Sequence, residues 1–298
     1  MIGVAPALVI LVALAVLCLG SRAGWGPGTH ITFARRLLDR DLESIPAEPR
    51  RLITAHEPHF LYGNIAADII SYKNYGGMKN HCHNWNIRER LLEFADTDAE
   101  LAFVYGYMCH LAADVVAHQH FVPYHIVYGL PPRLFGHLYW EALADGGVAE
   151  EQWDRIDGMR LDRSIHENDR LILEAVPKRA FSHTTNKLIF NHVLLARSRR
   201  SWRSIIDQMS SRRPRGVLKA EFIAQCHAQV HTNLLAVFDE AALAPLRTRD
   251  PNGHETLAAS QRLRRDLIAE AGSRSKGAEA ARHAAERVFG FGGVPEAR

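Results

Sequence analysis

The sequence predicts an all-α protein, a bundle of many helices. In almost every segment, apolar residues recur with the spacing of three to four that is typical of amphipathic helices. No run alternates apolar and polar residues as a half-buried strand does. The chain has 298 residues, 47% of them apolar and 23% charged, which is the composition of an ordinary globular protein. We predict one helical domain over residues 25–245.

An uncharged apolar stretch, residues 2–20, precedes that domain. It has the features of a secretory signal peptide, so we expect residues 1–24 to be removed on export to the periplasm or the medium. The stretch is close in length to a short membrane span, and an uncleaved membrane anchor is the alternative. Small residues at Ser21 and Ala23 fit cleavage before Gly24, whereas cleavage after Gly24 fits less well.

The net charge and the cysteine content argue against two classes of protein, polyanion binders and disulfide-stabilised folds. The formal net charge is +3, which does not indicate a protein that binds a polyanion through its overall charge. Four cysteines are present, and the three beyond the leader, Cys82, Cys109 and Cys226, make an odd set. We expect these three to be buried or partly buried thiols and no disulfide framework, with a single pair as the alternative.

Three segments in the first part of the chain have a helical pattern. Thr29 is suited to cap a helix whose apolar positions, between residues 31 and 38, fall on one face. Residues 87–94 repeat the pattern. Asp98 opens a long stretch, AELAFVYGYMCHLAADVVAHQHF, that is apolar nearly all round, as expected of the central helix of a bundle. Pro123 is predicted to end it.

The later part of the chain is also helical by pattern. Two prolines at 131–132 precede a short helix, RLFGHLYWEALAD, which glycines at 146–147 close. Further helical patterns lie near residues 149–158, 166–176, 185–210 and 217–243. From residue 246 to 298, Arg, Ala, Glu and Gly replace most large apolar residues, so we predict a helical or partly disordered tail with one or two exposed helices.

The histidines point to a metal site in the central helix. His110 and Asp114 are four residues apart, so on a helix they share one face and can bind one ion. His118 extends that face, whereas His120 lies elsewhere on an ideal helix; we expect the turn before Pro123 to unwind and to bring His120 back. A buried aspartate without a counter-charge is costly, and a metal cation removes that cost. Hydrogen-bonded histidines of the core are the alternative.

Three other segments offer ligands. His137 and Glu141 are again four residues apart, and with His120 they would form a three-ligand site with an open position for water, the pattern of catalytic zinc. Asp68 lies in apolar surroundings in GNIAADII, where a helix cap or turn residue is the alternative. The stretch NHCHNW supplies two more imidazoles.

In chain order, these motifs are W-x4-H, AAD, H-x-W, H-x3-D-x5-H and H-x3-E. Together they resemble those of the trinuclear-zinc phosphodiesterases, which are the secreted bacterial zinc-dependent phospholipases C and the single-strand-specific zinc nucleases of fungi and plants. The resemblance covers about residues 25–145. The Trp-to-His spacing matches the nuclease branch. Glu141 is typical of the phospholipase branch, since the nucleases tend to have aspartate there.

The resemblance implies two or three zinc ions and assigns their ligands. The first ion would be bound by the α-amine and carbonyl of Trp25 and by the side chains of His30 and Asp114. The second would share the carboxylate of Asp114 as a bridge and add the side chains of Asp68, His83 and His110. The third would be bound by His120, His137 and Glu141.

Some of these assignments have alternatives. The family's H-x-W spacing selects His83, with His81 as the fallback. Its D-x5-H spacing selects His120, although helix geometry alone favours His118. Asp68 is either a ligand or the catalytic base.

Trp25 is a special case because only an N-terminal residue offers an α-amine and a carbonyl oxygen together. The amine must lose its proton to bind zinc. The resemblance therefore implies that signal cleavage creates a metal ligand. Cleavage before Gly24, or a leader that stays attached, would leave a two-zinc protein.

The function implied by the resemblance is that of a zinc-dependent phospholipase C-like hydrolase. Its substrate would be a phospholipid or another phosphodiester, and it would contact a membrane surface. One alternative is a single-strand nuclease on the same metal core, for which the basic stretches at 197–204 and 212–216 would serve the nucleic acid, unless they are merely solvated. The other is a non-catalytic metal-binding protein of the cell envelope.

Overall fold

The computed structural model describes residues 25–69, 82–129, 140, 144–176, 182, 184–186, 219–273 and 276–291. Within these ranges the chain forms twelve α-helices and no strand, which confirms the predicted all-α class. In chain order the helices are α1 Pro27–Arg40, α2 Ala47–Ala55, α3 Glu57–Ala66, α4 Asn86–Phe94, α5 Asp98–Val116, α6 Val122–Tyr128, α7 Glu150–Leu161, α8 Asp169–Ala175, α9 Ala220–Ala236, α10 Glu240–Arg247, α11 His254–Ala271 and α12 Ala278–Phe289.

Helix α5 is the centre of the bundle. A capping box starts it: Thr97 Oγ1 accepts from Glu100 N at 3.2 Å, and the Glu100 carboxylate accepts from Thr97 N at 3.2 Å. By length and composition the continuous helical run Asp98–Tyr128 would pass for a membrane span, but 89% of its most apolar window is buried inside the bundle. It is the core helix that its composition predicts, packed against α1, α2, α3, α4 and α9.

The tightest packing joins α3 and α5. A Cβ atom added to Gly63 would overlap the carbonyl oxygen of Phe103, and one added to Gly106 would overlap that of Phe60. The two helix backbones are therefore in direct contact. This approach brings the carbonyl oxygen of Asn64 next to α5.

The prediction that Pro123 ends the central helix was wrong. The chain instead forms a π-helical turn, Ala117–Phe121, in which Val122 N–H reaches back five residues to the carbonyl of Ala117. Helix α6 then continues to Tyr128 with Pro123 in its first turn, where a residue without an N–H is tolerated. The turn before the proline widens and does not unwind.

The start of α1 also differs from the prediction. The helix begins at Pro27, so Thr29 lies in its first turn and does not cap it. The acceptor comes from far along the chain: the carboxylate of Asp145 accepts from Gly28 N at 3.2 Å, from Thr29 N at 2.9 Å and from Thr29 Oγ1 at 2.6 Å. Burial raises the pKa of Asp145 to about 6, against the lowering effect of these donors.

The chain after residue 245 packs on the same core. Helix α10 runs across the predicted boundary at 245, and helices α11 and α12 pack against α6. Phe289 and Leu257 are among the residues that they bury. The three cysteines, Cys82, Cys109 and Cys226, are buried free thiols, as predicted.

Candidate metal centre

Five of the nine predicted ligands come together around the middle of α5. Helix α5 supplies two of them one turn apart, α1 supplies one, the 3-10 turn after α3 supplies one, and the segment before α4 supplies one. They are His110 and Asp114, His30, Asp68, and His83. Four of these side chains are at most 1% exposed, and Asp68 is 7% exposed.

One group is formed by His83, His110, Asp68 and Asp114. His83 Nε2 lies 2.9 Å from His110 Nε2, 3.3 Å from Asp68 Oδ1 and 3.3 Å from Asp114 Oδ2. His110 Nε2 is 3.4 Å from the same Asp114 oxygen. Ligands bound tetrahedrally to zinc at 2.0–2.1 Å are separated by about 3.3 Å. The donor atoms of His83, His110 and Asp114 lie at nearly this spacing from one another, and Asp68 lies at it from His83.

The protonation of His110 suits this arrangement. Its Nδ1 lies 2.8 Å from the carbonyl oxygen of Asn64. A carbonyl only accepts, so Nδ1 carries the hydrogen, and in the neutral ring Nε2 presents its lone pair to the group. A metal-binding histidine commonly has its second nitrogen fixed in this way.

A second group forms on the other oxygen of Asp114. Oδ1 lies 3.4 Å from His30 Nε2, while Oδ2 faces His83 and His110. The ligand atoms of His30, His110 and Asp114 all lie within 4.8 Å of one another. A single carboxylate is thus divided between two sets of imidazoles.

The pKa shifts of Asp114 and His30 favour an ionised carboxylate and a neutral imidazole. The imidazoles of His110, His30 and His83 hold the pKa of Asp114 well below its usual range, although burial alone would raise it. Burial and the neighbouring His110 lower the pKa of His30 to about 4. Neither nitrogen of His30 and neither oxygen of Asp114 has a hydrogen-bond partner among the described residues. An anionic carboxylate and a neutral imidazole are the forms that bind zinc.

Trp25 lies directly beside this centre. Its indole is 1% exposed, packs on Phe121 and Phe33, and donates from Nε1 to the carbonyl oxygen of Ala113 at 3.1 Å. The indole therefore anchors the start of the described chain at the residue before Asp114. Coordination by the α-amine stays a prediction, because residues 1–24 lie outside the described part of the chain.

The predicted third site is only partly described. His120 is on the π-helical turn; its Nδ1 donates to the carbonyl oxygen of Phe289 at 3.0 Å, and its ring stacks on Phe291. It joins none of the metal-ligand groups formed by the described residues. Its predicted partners, His137 and Glu141, lie outside those residues.

The two alternative histidines have different outcomes. His81 lies outside the described chain, whereas His83 is in the cluster. His118 is fully buried, with Nδ1 lying 2.5 Å from the carbonyl oxygen of Pro251.

Sequence reasoning missed three residues that hold this centre together. Asn64 fixes the ring of His110, Asp145 fixes the start of α1, and Asn252 donates to the carbonyl of His83 at 2.5 Å. None belongs to a ligand motif. The sequence gives one sign of these three residues: Asn252 lies in DPNG, a turn-forming stretch, in the segment that was predicted to be a tail.

A family model described as zinc dependent phospholipase C matches residues 29–199, more than half of the chain. The chain belongs to the zinc-dependent phospholipase C family. In this phospholipase C family member, the matched residues include all five clustered side chains. Trp25 and helices α9 to α12 lie outside the match. No curated protein and no solved structure matches the chain.

Proposed function

We propose that this chain hydrolyses the phosphodiester of a phospholipid head group, with two or three zinc ions as cofactors. The observation that carries the proposal is the divided carboxylate of Asp114, which faces His30 at 3.4 Å with one oxygen and His83 at 3.3 Å with the other. A carboxylate shared in this way is what a pair of neighbouring metal ions needs as a bridge.

The proposed ligands follow from this geometry and from the family motifs. One zinc would be held by Trp25, His30 and Asp114, and a second by His83, His110 and Asp114. Asp68 would be either a further ligand of the second zinc or the catalytic base. A third would be held by His120, His137 and Glu141. Bound zinc would supply Lewis acidity, lowering the pKa of water and neutralising phosphate charge.

Asp68 is the proposed catalytic base. It is the most exposed member of the cluster, at 7% against at most 1% for the other four, which supports a role in contact with water. In the proposed reaction, a water oxygen attacks phosphorus and Asp68 accepts the water's proton. The bond from phosphorus to the glycerol oxygen breaks, that oxygen takes up a proton, and diacylglycerol leaves. The alternative role for Asp68 is that of a zinc ligand without a part in proton transfer.

Export completes the proposal. Residues 1–24 would be a signal peptide, and cleavage directly before Trp25 would free its α-amine in the periplasm or the medium. A leader that stays attached would anchor the protein and withhold that ligand. The indole of Trp25, already anchored at Ala113, supports a role for this residue as the mature N-terminus.

The test is an assay of the zinc-loaded mature chain on phosphatidylcholine vesicles and on single-stranded DNA. We expect phosphocholine and diacylglycerol from the vesicles, and no product from zinc-free protein or from Asp114→Asn. Cleavage of DNA alone would favour the nuclease alternative. Zinc binding without hydrolysis of either substrate would favour a non-catalytic metal-binding protein.

A further inference from the structure

We infer that the loop of residues 249–254, here called the C-terminal loop, positions the ligands of the metal centre, with Asn252 as its positioning residue for His83. The inference rests on the proposed zinc-binding function. The loop lies beyond the residues that the family model matches. It would give the last third of the chain a direct part in metal binding.

The contact with His83 is direct and buried. Asn252 is 4% exposed, and its Nδ2 donates to the carbonyl oxygen of His83 at 2.5 Å. Next to it, Trp85 Nε1 donates to the carbonyl oxygen of Arg249 at 3.0 Å. The residues described before α4, which begins at Asn86, form no helix, so these two bonds tie that segment to the C-terminal loop. On its other side, Tyr107 Oη donates to the carbonyl oxygen of Cys82 at 2.5 Å.

Hydrogen bonds within the C-terminal loop hold its conformation. The carboxylate of Asp250 accepts from Asn252 N at 2.9 Å, from Asn252 Nδ2 at 3.2 Å and from His254 N at 3.0 Å. Gly253 has φ +55°, and a Cβ there would lie 2.5 Å from the carbonyl oxygen of His118. Only glycine fits that conformation and that approach. The amide of Asn252 is therefore held in place by its own loop.

The C-terminal loop also forms hydrogen bonds with the π-helical segment Ala117–Phe121, which follows Asp114 on the same helix. His118 Nδ1 lies 2.5 Å from Pro251 O, and Gln119 Nε2 donates to Asp250 O at 3.0 Å. The end of α12 adds the bond from His120 Nδ1 to Phe289 O at 3.0 Å. Because Nδ1 of His120 donates in this bond, the neutral ring carries its lone pair on Nε2.

Hydrogen bonds to the side chain of a metal ligand typically account for about 10–100-fold in metal affinity. Asn252 instead holds the backbone of His83, so we expect an effect at the lower end of that range, about ten-fold. The experiment compares the mature full-length chain with Asn252→Ala. We measure the rate at which bound zinc passes to a chromophoric chelator, and the visible spectrum of the cobalt(II)-substituted protein. We expect zinc release at least about ten-fold faster in Asn252→Ala, with a changed cobalt spectrum. His83→Ala is the reference for loss of the ligand itself.

The matched control is Asn233→Ala. Asn233 is also a buried amide, 5% exposed, and its Nδ2 donates to Ala112 O on α5 at 3.1 Å. Its hydrogen bonds go to Ala112 and Gln229, and to none of the proposed ligands that the structure describes. It should lower the melting temperature without accelerating zinc release. Should Asn252→Ala fail to fold, Asn252→Leu removes the donor at similar size without adding a charge beside Asp250, and it should show the same acceleration.

Zinc release at the wild-type rate from a folded Asn252 variant would overturn the inference. Equal acceleration in Asn233→Ala would also overturn it, because the effect would then be general loosening. A wild-type chain that binds no zinc would instead contradict the proposed function, so the two failures are distinguishable.

Discussion

The imidazole rings of His30 and His110 are stacked, with centroids 4.0 Å apart and planes inclined by 14°, and each turns Nε2 toward the carboxylate of Asp114. Two buried rings at this distance cannot both be protonated without strong repulsion. Their neutral forms present lone pairs on either side of one anionic carboxylate. This arrangement is therefore suited to holding a divalent cation.

Zinc should accordingly stabilise the folded protein. A ligand present at about 100 times its dissociation constant adds about 2.7 kcal/mol, so we expect a chelator to lower the melting temperature by about 5–10 °C. Asp114→Asn should abolish this response, measured by differential scanning fluorimetry with and without chelator. The control is Asp39→Asn, an exposed carboxylate on α1, which should respond as the wild type does. An unchanged chelator response in Asp114→Asn would contradict a zinc-bridging role.

The N-terminus should determine the zinc count. A chain that begins at Trp25 has the free α-amine, whereas a chain that begins at Gly24 has an amide at that position. Native mass spectrometry should therefore find one zinc fewer in the Gly24 form, because only the site with His30 loses a ligand. Equal counts in the two forms would show that the amine of Trp25 is not a ligand.

At the contact between α3 and α5, the two glycine positions should tolerate no larger residue. Gly106→Ala would force the helices apart, and we expect it to destabilise the fold by about 2–3 kcal/mol. It should also weaken zinc binding, since it moves Asn64 O away from His110. Urea unfolding of metal-free protein measures the first effect, and zinc titration measures the second.

Gly158→Ala is the matched control for that substitution. A Cβ on Gly158, inside α7, would meet no described atom within 4 Å apart from the adjacent backbone of its own helix. Alanine is a better helix former than glycine by about 0.5–1 kcal/mol, so this variant should be slightly more stable than the wild type. If both variants changed stability in the same direction, steric contact would not be the cause of the Gly106 effect.

The parts of the fold that the sequence predicted are those encoded locally. The apolar periodicity of α1, α4 and α5 and the four-residue spacing of His110 and Asp114 are properties of short segments, which a helix converts directly into geometry. The capping of α1 by Asp145 and the bond from Asn252 to His83 join residues more than 100 positions apart, and no local pattern reports them. The π-helical turn depends on how α11 and α12 pack against its surroundings.

His125 should make the metal-free protein sensitive to acid. It is fully buried, its Nδ1 donates to Phe121 O at 2.7 Å, and Nε2 has no hydrogen-bond partner in the described chain. Burial lowers its pKa from 6.5 to about 4, against the effect of the Phe121 carbonyl. Between pH 6.5 and 4 the unfolded chain therefore binds a proton that the folded chain does not, so this stabilisation is complete above pH 6.5 and is lost as the pH falls.

The measurement is urea unfolding of zinc-free protein at pH 7.5 and 5.0, for the wild type and for His125→Gln. At pH 5.0 the His125 contribution amounts to about 2 kcal/mol, the difference of about 1.5 pH units from 6.5. Between pH 7.5 and 5.0, the free energy of unfolding should therefore fall by about 2 kcal/mol less in His125→Gln than in the wild type. His30 contributes a fall in the same direction in both proteins. His283→Gln, on the exposed face of α12, should behave as the wild type. An equal acid-induced loss in His125→Gln and the wild type would mean that His125 takes up its proton as readily in the folded chain as in the unfolded one.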